Sequence, residues 1–228
     1  MSRAGRPRIH VHLSREAIAR AGLMLVDRDG LDALTLRNLA RELGVGTTTL
    51  YGHVRTRDEI VAGVVGLFLD EVDASPSPDE RWDDGLRRVA HSLRGVAHRH
   101  PAAFPLVAMA PVDEPPVVDY ARRMAELSRG GGISSERFVE SWEVVDAFLT
   151  GFLLMETAAL VRAARQSGAD SAASAGDEFR RDMAMVHSDE AFAAALEVVI
   201  AGIRATHIGT DPPPRGSDHP KRKERRRE

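Results

Sequence analysis

The stretch LTLRNLARELGVGTTTLYGHV, residues 34–54, decides the fold of this chain. Its apolar residues recur three and four positions apart and are interrupted by Gly44, which predicts two short helices joined by a tight turn. Thr35 is a favourable N-cap for the first helix. Ala40 is small enough to let the second helix cross closely, and Gly44 adopts a positive φ at no steric cost. These features predict a helix-turn-helix unit.

The two sides of the second helix differ in chemistry. On the inward side, apolar residues of both helices and of the turn wedge the two helices together, namely Leu36, Leu39, Leu43, Val45 and Leu50. The other side is small, polar or hydroxyl-bearing and consists of Thr47, Thr48, Thr49, Tyr51, Gly52 and His53. Such a surface suits a major groove that is about 12 Å wide. Three consecutive Thr residues form helices poorly, so a purely structural helix would favour other residues there. We therefore expect this helix to contact DNA bases.

Helical spacing recurs along the whole chain, and no segment alternates with period two, so the predicted fold class is all-α. In the first 73 residues, helices are expected from Ser14 to Gly30, over 36–43 and 47–53, and from Thr56 to Val72, where Thr56-x-x-Glu59 has the form of a capping box. Further helices are expected at 82–98, 101–109 and 115–129, from 134 or 135, and from 188.

The composition predicts three segments. Residues 1–73 form the DNA-binding domain, a three-helix head with its helix-turn-helix at 35–54 followed by the fourth helix, and residues 82–208 form a larger helical domain. The joint falls at 73–81, where ASPSPDER is rich in Pro, Ser and charge. GADSAASAGDE, from Gly168, is expected to be a mobile loop, and residues 209–228 a disordered basic tail.

The net charge of −3 hides an uneven distribution. Residues 1–60 hold 10 basic against 7 acidic side chains, residues 61–210 hold 14 against 23, and residues 211–228 hold 7 against 4. A charge pattern of this kind orients the first sixty residues toward a polyanion and repels the middle from it. An acidic total is therefore no objection to DNA binding.

The sequence favours a soluble cytoplasmic protein without a membrane partner. It has no Cys, which fits a reducing compartment, and no apolar region follows its basic start as in a secretory signal. The apolar stretch from Ala147 to Val161 is interrupted by Glu156 and falls short of the roughly 20 apolar residues of a membrane span.

No motif indicates an enzyme, a cofactor or a metal site. Patterns of nucleophile elbows, zinc proteases and phosphate-binding loops are absent from the sequence. His98 and His100 are two positions apart, which places them on different faces of a helix, and no Cys or acid completes a ligand set. An enzyme that uses the head only for location stays an alternative, because active sites also form from residues distant in sequence.

Residues 14–70 resemble the DNA-binding head of the tetracycline-repressor (TetR) family of bacterial regulators. The resemblance is carried by LSREAIARAGLMLVDRDGLDALTLRNLARELGVGTTTLYGHVRTRDEIVAG and is most specific at L-Y-x-H-V-x-x-(K/R)-x-E. It implies that Thr35 and Arg37 hold phosphates and that Tyr51, His53 and Arg57 contact the phosphate backbone. It also implies that the recognition surface facing the bases is Thr47, Thr48, Thr49 and Gly52. Gly52 lacks the side chain that many relatives carry there, so the operator sequence does not transfer from any relative.

The same resemblance implies that the larger domain encloses a small-molecule effector. On the long helix, Asp146, Thr150 and Thr157 place polar groups beside an apolar stripe, as in small-molecule sites. A solvated edge, or an Asp paired with an Arg, is the simpler explanation of each of these residues. The expected effector lining is Phe104, Met109, Tyr120, Met124, Trp142 and Asp146.

The sequence is thus interpreted as a homodimeric transcriptional repressor that binds a palindromic DNA operator and is released by its effector. One head makes few contacts, whereas two heads about 34–36 Å apart would read a palindrome. The last two long helices are the expected interface, as in relatives. An activator of the same family and an architectural DNA-binding protein stay open as alternatives. Arg3, Arg6 and Arg8 form either an arm that reaches a minor groove or a merely solubilising end.

Overall fold

The structure is a computed structural model that describes residues 13–75, 77, 79–130, 133–166 and 188–207. Its secondary structure over these residues is helical, as the sequence predicts. Short 3-10 helices lie at Leu31–Ala33 and Leu127–Gly130. In chain order the α-helices are α1 (Arg15–Asp29), α2 (Leu36–Glu42), α3 (Thr47–Tyr51), α4 (Arg57–Asp70), α5 (Trp82–Arg99), α6 (Phe104–Ala108), α7 (Pro115–Glu126), α8 (Ser135–Gln166) and α9 (Asp189–His207). The expectations for the arginine arm, the loop from Gly168 and the basic tail fall outside the described residues.

The helices of the head begin where side-chain caps were expected. Ser14 accepts a hydrogen bond from the Ala17 amide at 3.1 Å. Thr35 accepts one from the Asn38 amide at 3.2 Å, and Thr56 accepts one from the Glu59 amide at 3.1 Å. Each cap satisfies an amide that the first turn of a helix leaves unpaired.

Several helix ends differ from the sequence prediction. The expected third helix ran to His53, but α3 ends at Tyr51 because the amides of Gly52 and His53 bond to carbonyls three residues earlier. The expected 101–109 helix starts only at Phe104, where Pro105 lies in the first turn and needs no amide partner. The fourth helix ends at Asp70, and buried Val72 follows it.

Helices α1 and α4 cross at very short range. A Cβ placed on Gly63 of α4 would lie 2.9 Å from the Cβ of Ala19 on α1. A Cβ on Gly22 of α1 would lie 3.1 Å from a methyl group of Val64 and 3.2 Å from Leu34. The two backbones therefore approach as closely as they do only because glycine occupies both positions.

The joint after the head is fixed by one arginine of α5. The Arg88 guanidinium donates to the carbonyl oxygens of Asp73 and Ser75, each at 2.8 Å. It also pairs with the carboxylate of Glu80 at 2.7 Å. The apolar core continues across this joint through Val72, Ala74 and Trp82. The stretch that the composition marks as a boundary is thus held against α5.

Buried charges connect the helices of the larger domain. Arg94 of α5 pairs with Glu156 of α8 at 2.7 Å, and both side chains are less than a tenth exposed. Arg94 also reaches Asp189 at the start of α9 at 2.6 Å, and His98 lies 3.0 Å from Glu156. Burial favours the neutral acid, but hydrogen bonds from Arg94 and His98 outweigh it and lower the pKa of Glu156.

Helix α8 (Ser135–Gln166) extends well beyond the apolar stretch from Ala147 to Val161 that the sequence analysis considered. By length and composition it is able to cross a membrane, and its most apolar window has a mean hydropathy of 1.8 with 28% of that window buried. A single helix of this kind is weak evidence for a membrane span. Exposed apolar side chains on α8 and α9 include Val139, Val144, Met155, Leu160 and Val198.

The α1–α4 crossing predicts opposite effects for two neighbouring glycines. Gly63→Ala should destabilise the chain by about 1–3 kcal/mol, because its methyl group meets Ala19. Gly66→Ala is the matched control, since its Cβ would lie 3.5 Å from Pro116, an ordinary contact. It should be neutral or stabilising because alanine favours a helix. Urea unfolding of both variants measures the difference, and equal free energies of unfolding would contradict the close crossing.

The buried ion pair predicts a large effect of Glu156→Gln. The variant replaces the buried carboxylate beside Arg94 with a neutral amide, while the exposed carboxylate of Asp189 stays, and should lose about 1–3 kcal/mol of stability. Because the folded pKa of Glu156 lies below its ordinary value of 4.5, its contribution should be complete above that value and lost as the pH falls through the folded pKa. Asp119→Asn removes an exposed partner of Arg122 and should leave stability unchanged. Urea unfolding as a function of pH tests both.

Candidate DNA-binding surface and ligand site

The second helix of the helix-turn-helix exposes the side expected to meet DNA. Thr47, Thr48 and Thr49 are exposed, as are Tyr51 and Gly52 at its end. Tyr51 is 53% exposed although it is a large aromatic side chain. Leu50, between these residues, is fully buried in the core. The helix is therefore fixed by one apolar residue and offers hydroxyl, methyl and aromatic groups to solvent.

The turn before this helix depends on Gly44. Its φ is +66°, a conformation that residues with a side chain rarely adopt. The next amide, that of Val45, donates to the Ala40 carbonyl at 2.9 Å and closes the end of α2. This is the left-handed helix end that the sequence predicts, and it sets the angle between α2 and α3.

The arginines of the head fall into two groups. On α1, Arg20 pairs with Glu16 at 2.6 Å, and Arg28 pairs with both Asp29 and Glu42. Those charges are largely neutralised within the head. In contrast, no carboxylate of the described residues pairs with Arg37 of α2 or with Arg57 at the start of α4. These two arginines lie on either side of α3 in the sequence. The unpaired positive charge thus lies on the segments that the resemblance assigns to phosphate.

Arg57 has a second role that the sequence does not reveal. Its Nε donates to the carbonyl of Leu34 at 3.2 Å, which links the start of α4 to the segment just before α2. Thr35 follows that carbonyl directly and is exposed, while His53 is half-buried. The bond leaves the remaining nitrogens of the Arg57 guanidinium available to an anion.

The expected effector lining is brought together only in part. Tyr120 of α7 and Trp142 of α8 meet edge to face, with ring centroids 6.4 Å apart. Asp146 follows Trp142 by one helical turn and lies on the same side of α8. Burial of the Tyr120 hydroxyl raises its pKa, and the negative charge of Asp146 raises that pKa further. These three residues, from two helices, form one polar and aromatic cluster.

The other three residues of the expected lining differ in their surroundings. Phe104 is buried and packs against Phe68 of α4 with ring centroids 5.9 Å apart, so it belongs to the contact between the two parts of the chain. Met124 is almost fully buried. Met109 follows the end of α6 and is 79% exposed, so it does not contribute to an enclosed lining.

Sequence reasoning misses the polar contacts between the head and the larger domain. Arg123 of α7 lies over the Tyr120 ring, 5.8 Å from its centroid, and donates to the Leu69 carbonyl of α4 at 3.3 Å. His100 lies 2.7 Å from Asp27 of α1 and 3.2 Å from Glu71. Burial, opposed by the bond to His100, raises the pKa of Asp27. These contacts join residues 29 to 73 positions apart, which no local pattern reports.

A cleft of about 470 Å³ lies beside the contact between the head and the larger domain. Its walls come from α1, α4 and α7 and include Gly63, Gly66, Pro116 and Arg123.

Comparison with known proteins places both halves of the chain in one family. Residues 18–64 match the bacterial regulatory proteins of the tetR family, and residues 75–207 match the tetracyclin repressor-like C-terminal domain. The HTH-type transcriptional repressor DrrR1 of Streptomyces coeruleorubidus is 27% identical over 144 residues, which cover 61% of this chain and 52% of that protein. The tetracycline repressor protein class D of Escherichia coli is 37% identical over 90 residues, which cover 39% of this chain and 41% of that protein. The chain thus spans about half the length of these two curated relatives.

Solved structures agree with this assignment over most of the chain. ActR of Streptomyces coelicolor in complex with actinorhodin has a TM-score of 0.65 and 27% identity, and the match covers 86% of this chain and 98% of ActR. BioQ bound to its double-stranded DNA operator has a TM-score of 0.62 and covers 85% of this chain and 99% of BioQ. At 21% identity, BioQ supports the fold alone.

Two adjacent residues of α3 should separate stability from surface chemistry. Leu50→Ala should cost about 2–5 kcal/mol of stability, because it empties part of the core of the head. Tyr51→Ala should leave stability almost unchanged, because that side chain is 53% exposed. Thermal unfolding followed by circular dichroism compares the two. A similar loss for both variants would mean that the exposed face of α3 is part of the core.

Proposed function

This chain belongs to the tetracycline-repressor (TetR) family of transcription regulators, and we propose that it is a ligand-released repressor that binds a palindromic operator as a homodimer. The observation that carries the proposal is the exposed face of α3, which stands between two arginines that have no ion pair among the described residues. The repressor names of relatives such as DrrR1 favour repression over activation. We place the DNA-binding domain at 1–73 and the ligand-binding and dimerisation domain at 82–208.

In this proposal the head divides its contacts between bases and phosphates. Thr47, Thr48 and Thr49 face the bases, and the absent side chain of Gly52 leaves room at the end of the helix. The residues that hold phosphates lie near these threonines and are Thr35, Arg37, Tyr51, His53 and Arg57. Phosphate contacts position a head on the duplex, whereas base contacts give it specificity.

The apolar exposed faces of α8 and α9 support a second copy of this chain as their partner. Val144 and Met155 are each 58% exposed and Val198 is 73% exposed, which is costly for a chain that stays monomeric in water. Two helices from each copy would form a four-helix interface. Light scattering should therefore give twice the chain mass of 24.9 kDa, and a monomer at micromolar concentration would contradict the proposal.

Ligand release requires a physical route from the larger domain to the heads. The route we propose runs through α4, which packs against α1 in the head and contacts α6 and α7. A ligand that binds better when α7 is displaced would shift α4 through Arg123 and change the spacing of the heads. ActR, which has this fold, was solved in complex with actinorhodin, a small molecule.

The operator should be identified by selecting bound DNA from a random pool at a stated salt concentration. The selected sites should share a palindrome whose half-sites lie about one helical turn apart, as for two symmetry-related heads. Enrichment of no sequence, or of sites without dyad symmetry, would contradict a dimeric operator-binding regulator. The selected site then provides the probe for a search for releasing compounds.

A charge-matched pair of variants tests the phosphate role of Arg57. Arg57→Ala should weaken operator binding at all salt concentrations and lower the slope of log affinity against log salt by about 1. Arg122→Ala removes the same charge from an exposed position on α7 and should change neither quantity. Because Arg57 also bonds to the Leu34 carbonyl, the melting temperature of each variant is measured beside its affinity. An unchanged slope in a folded Arg57→Ala protein would remove this residue from the interface.

A further inference from the structure

The outward face of α3 carries none of the side chains that read a base through two hydrogen bonds. Arginine and lysine recognise guanine in this way, and asparagine and glutamine recognise adenine. The stretch from Gly44 to His53, GVGTTTLYGH, contains no arginine, lysine, asparagine or glutamine and no acidic residue. Base specificity at α3 therefore comes from another kind of contact.

The direction in which Thr48 points follows from the burial of Leu50. Leu50 is fully buried and marks the side of α3 that faces the core. With about 3.6 residues per turn, Thr48 and Gly52 each lie about 160° from Leu50 around the helix axis. Thr49 and Tyr51 lie about 100° from Leu50 by the same geometry, so they flank this outward face. Thr48 is thus the side chain that points most directly away from the head.

The space beside Thr48 is open to an approaching molecule. Gly52, one helical turn after it, has no side chain, and of the described atoms a Cβ placed there would first meet the Thr49 carbonyl oxygen, at 3.2 Å. The hydroxyl of Thr48 has no hydrogen-bond partner among the described residues. The edge of a base can therefore reach both the γ-methyl group and the hydroxyl of Thr48 without displacing a side chain of the head.

The two groups of Thr48 differ in what they distinguish. The hydroxyl rotates and can donate as well as accept, so it matches the donor of one base as readily as the acceptor of another. The methyl group is apolar, and the apolar feature that a base pair presents in the major groove is the C5 methyl group of thymine. Contact between two methyl groups removes apolar surface from water, whereas covering a polar base edge with a methyl group leaves that edge without a partner.

From this arrangement we infer that Thr48 reads a thymine, through contact between its γ-methyl group and the C5 methyl group of the base. Each half-site of the operator then contains one thymine whose methyl group determines affinity. This inference rests on the proposed operator-binding function and names the base feature from which α3 takes its specificity.

Deoxyuridine tests the inference, because it lacks the methyl group of thymidine and keeps every hydrogen-bonding group of the base. Each thymine of the selected operator is replaced in turn, together with its symmetry mate, and affinity is measured by fluorescence anisotropy at one salt concentration. At one symmetric pair of positions the affinity of the wild-type chain should fall about tenfold, because one apolar contact is lost in each half-site. Deoxyuridine in the flanking DNA should leave it unchanged. Half-sites that lack thymine, or that tolerate deoxyuridine at every thymine, would overturn the inference.

Two variants separate the methyl group of Thr48 from its hydroxyl. Thr48→Ser keeps the hydroxyl only, so it should bind the thymine operator about tenfold more weakly than wild type and lose nothing further on deoxyuridine. Thr48→Val keeps a methyl group and should retain both the affinity and the difference between the two operators. Thr206→Ser, which keeps its bond to the Gly202 carbonyl on α9, is the matched control and should change neither. Loss of affinity in Thr48→Val, or a deoxyuridine effect that persists in Thr48→Ser, would overturn the inference.

The thymine contact and the regulator fail in different ways. A palindromic operator that wild type binds equally well with deoxyuridine at every thymine would overturn the contact and leave the regulator standing. A selection that enriches no palindrome would overturn the regulator, and the contact with it. Because position 48 is exposed and Ser, Thr and Val have similar helix propensities, the variants should fold as wild type does. Circular dichroism spectra and melting curves measure this.

Discussion

The close crossing of α1 and α4 is the constraint on which the rest of the structure depends. Gly63 against Ala19, and Gly22 against Val64, bring two backbones to a distance that side chains would prevent. Helix α4 is thereby a core element of the head, and its far end packs through Phe68 against Phe104 and His100 of the larger domain. The position of α3 on DNA is consequently tied to the same helix that contacts α6 and α7. A displacement of α4 cannot leave the head unchanged.

The placement of charge follows the same division. Carboxylates neutralise the arginines of α1. In contrast, Arg37 and Arg57, on either side of α3 in the sequence, have no ion pair among the described residues. In the larger domain, Asp83 is buried beside Arg204 of α9, and Glu156 is buried beside Arg94. Buried pairs contribute little net stability but strongly penalise any arrangement that separates them. They therefore fix how α8 and α9 sit on α5, and with it the faces that we assign to the second copy.

Local signals in the sequence predicted the head well, and long-range contacts in the larger domain were beyond them. The caps at Ser14, Thr35 and Thr56 and the positive φ of Gly44 arise from interactions within a few residues, so their pattern is visible in the chain. The pair of Arg94 and Glu156 joins positions 62 residues apart, and no periodicity reports it. The ring contact between Tyr120 and Trp142 joins two helices, and the ligand lining itself stays a prediction. Met109 was misplaced because its exposure depends on where α6 ends.

The central claim, that two copies hold their heads at the spacing of one DNA turn, is open to direct measurement. The chain has no native cysteine, and the side chain of Met24 on α1 is exposed. Met24→Cys therefore accepts a single spin label in each copy. Pulsed electron resonance then measures the distance between the two labels, free and bound to the selected operator. The account predicts dipolar coupling in both states and a distribution that narrows on the operator, as two heads settle into grooves about 34–36 Å apart. Absence of dipolar coupling on the operator would contradict it.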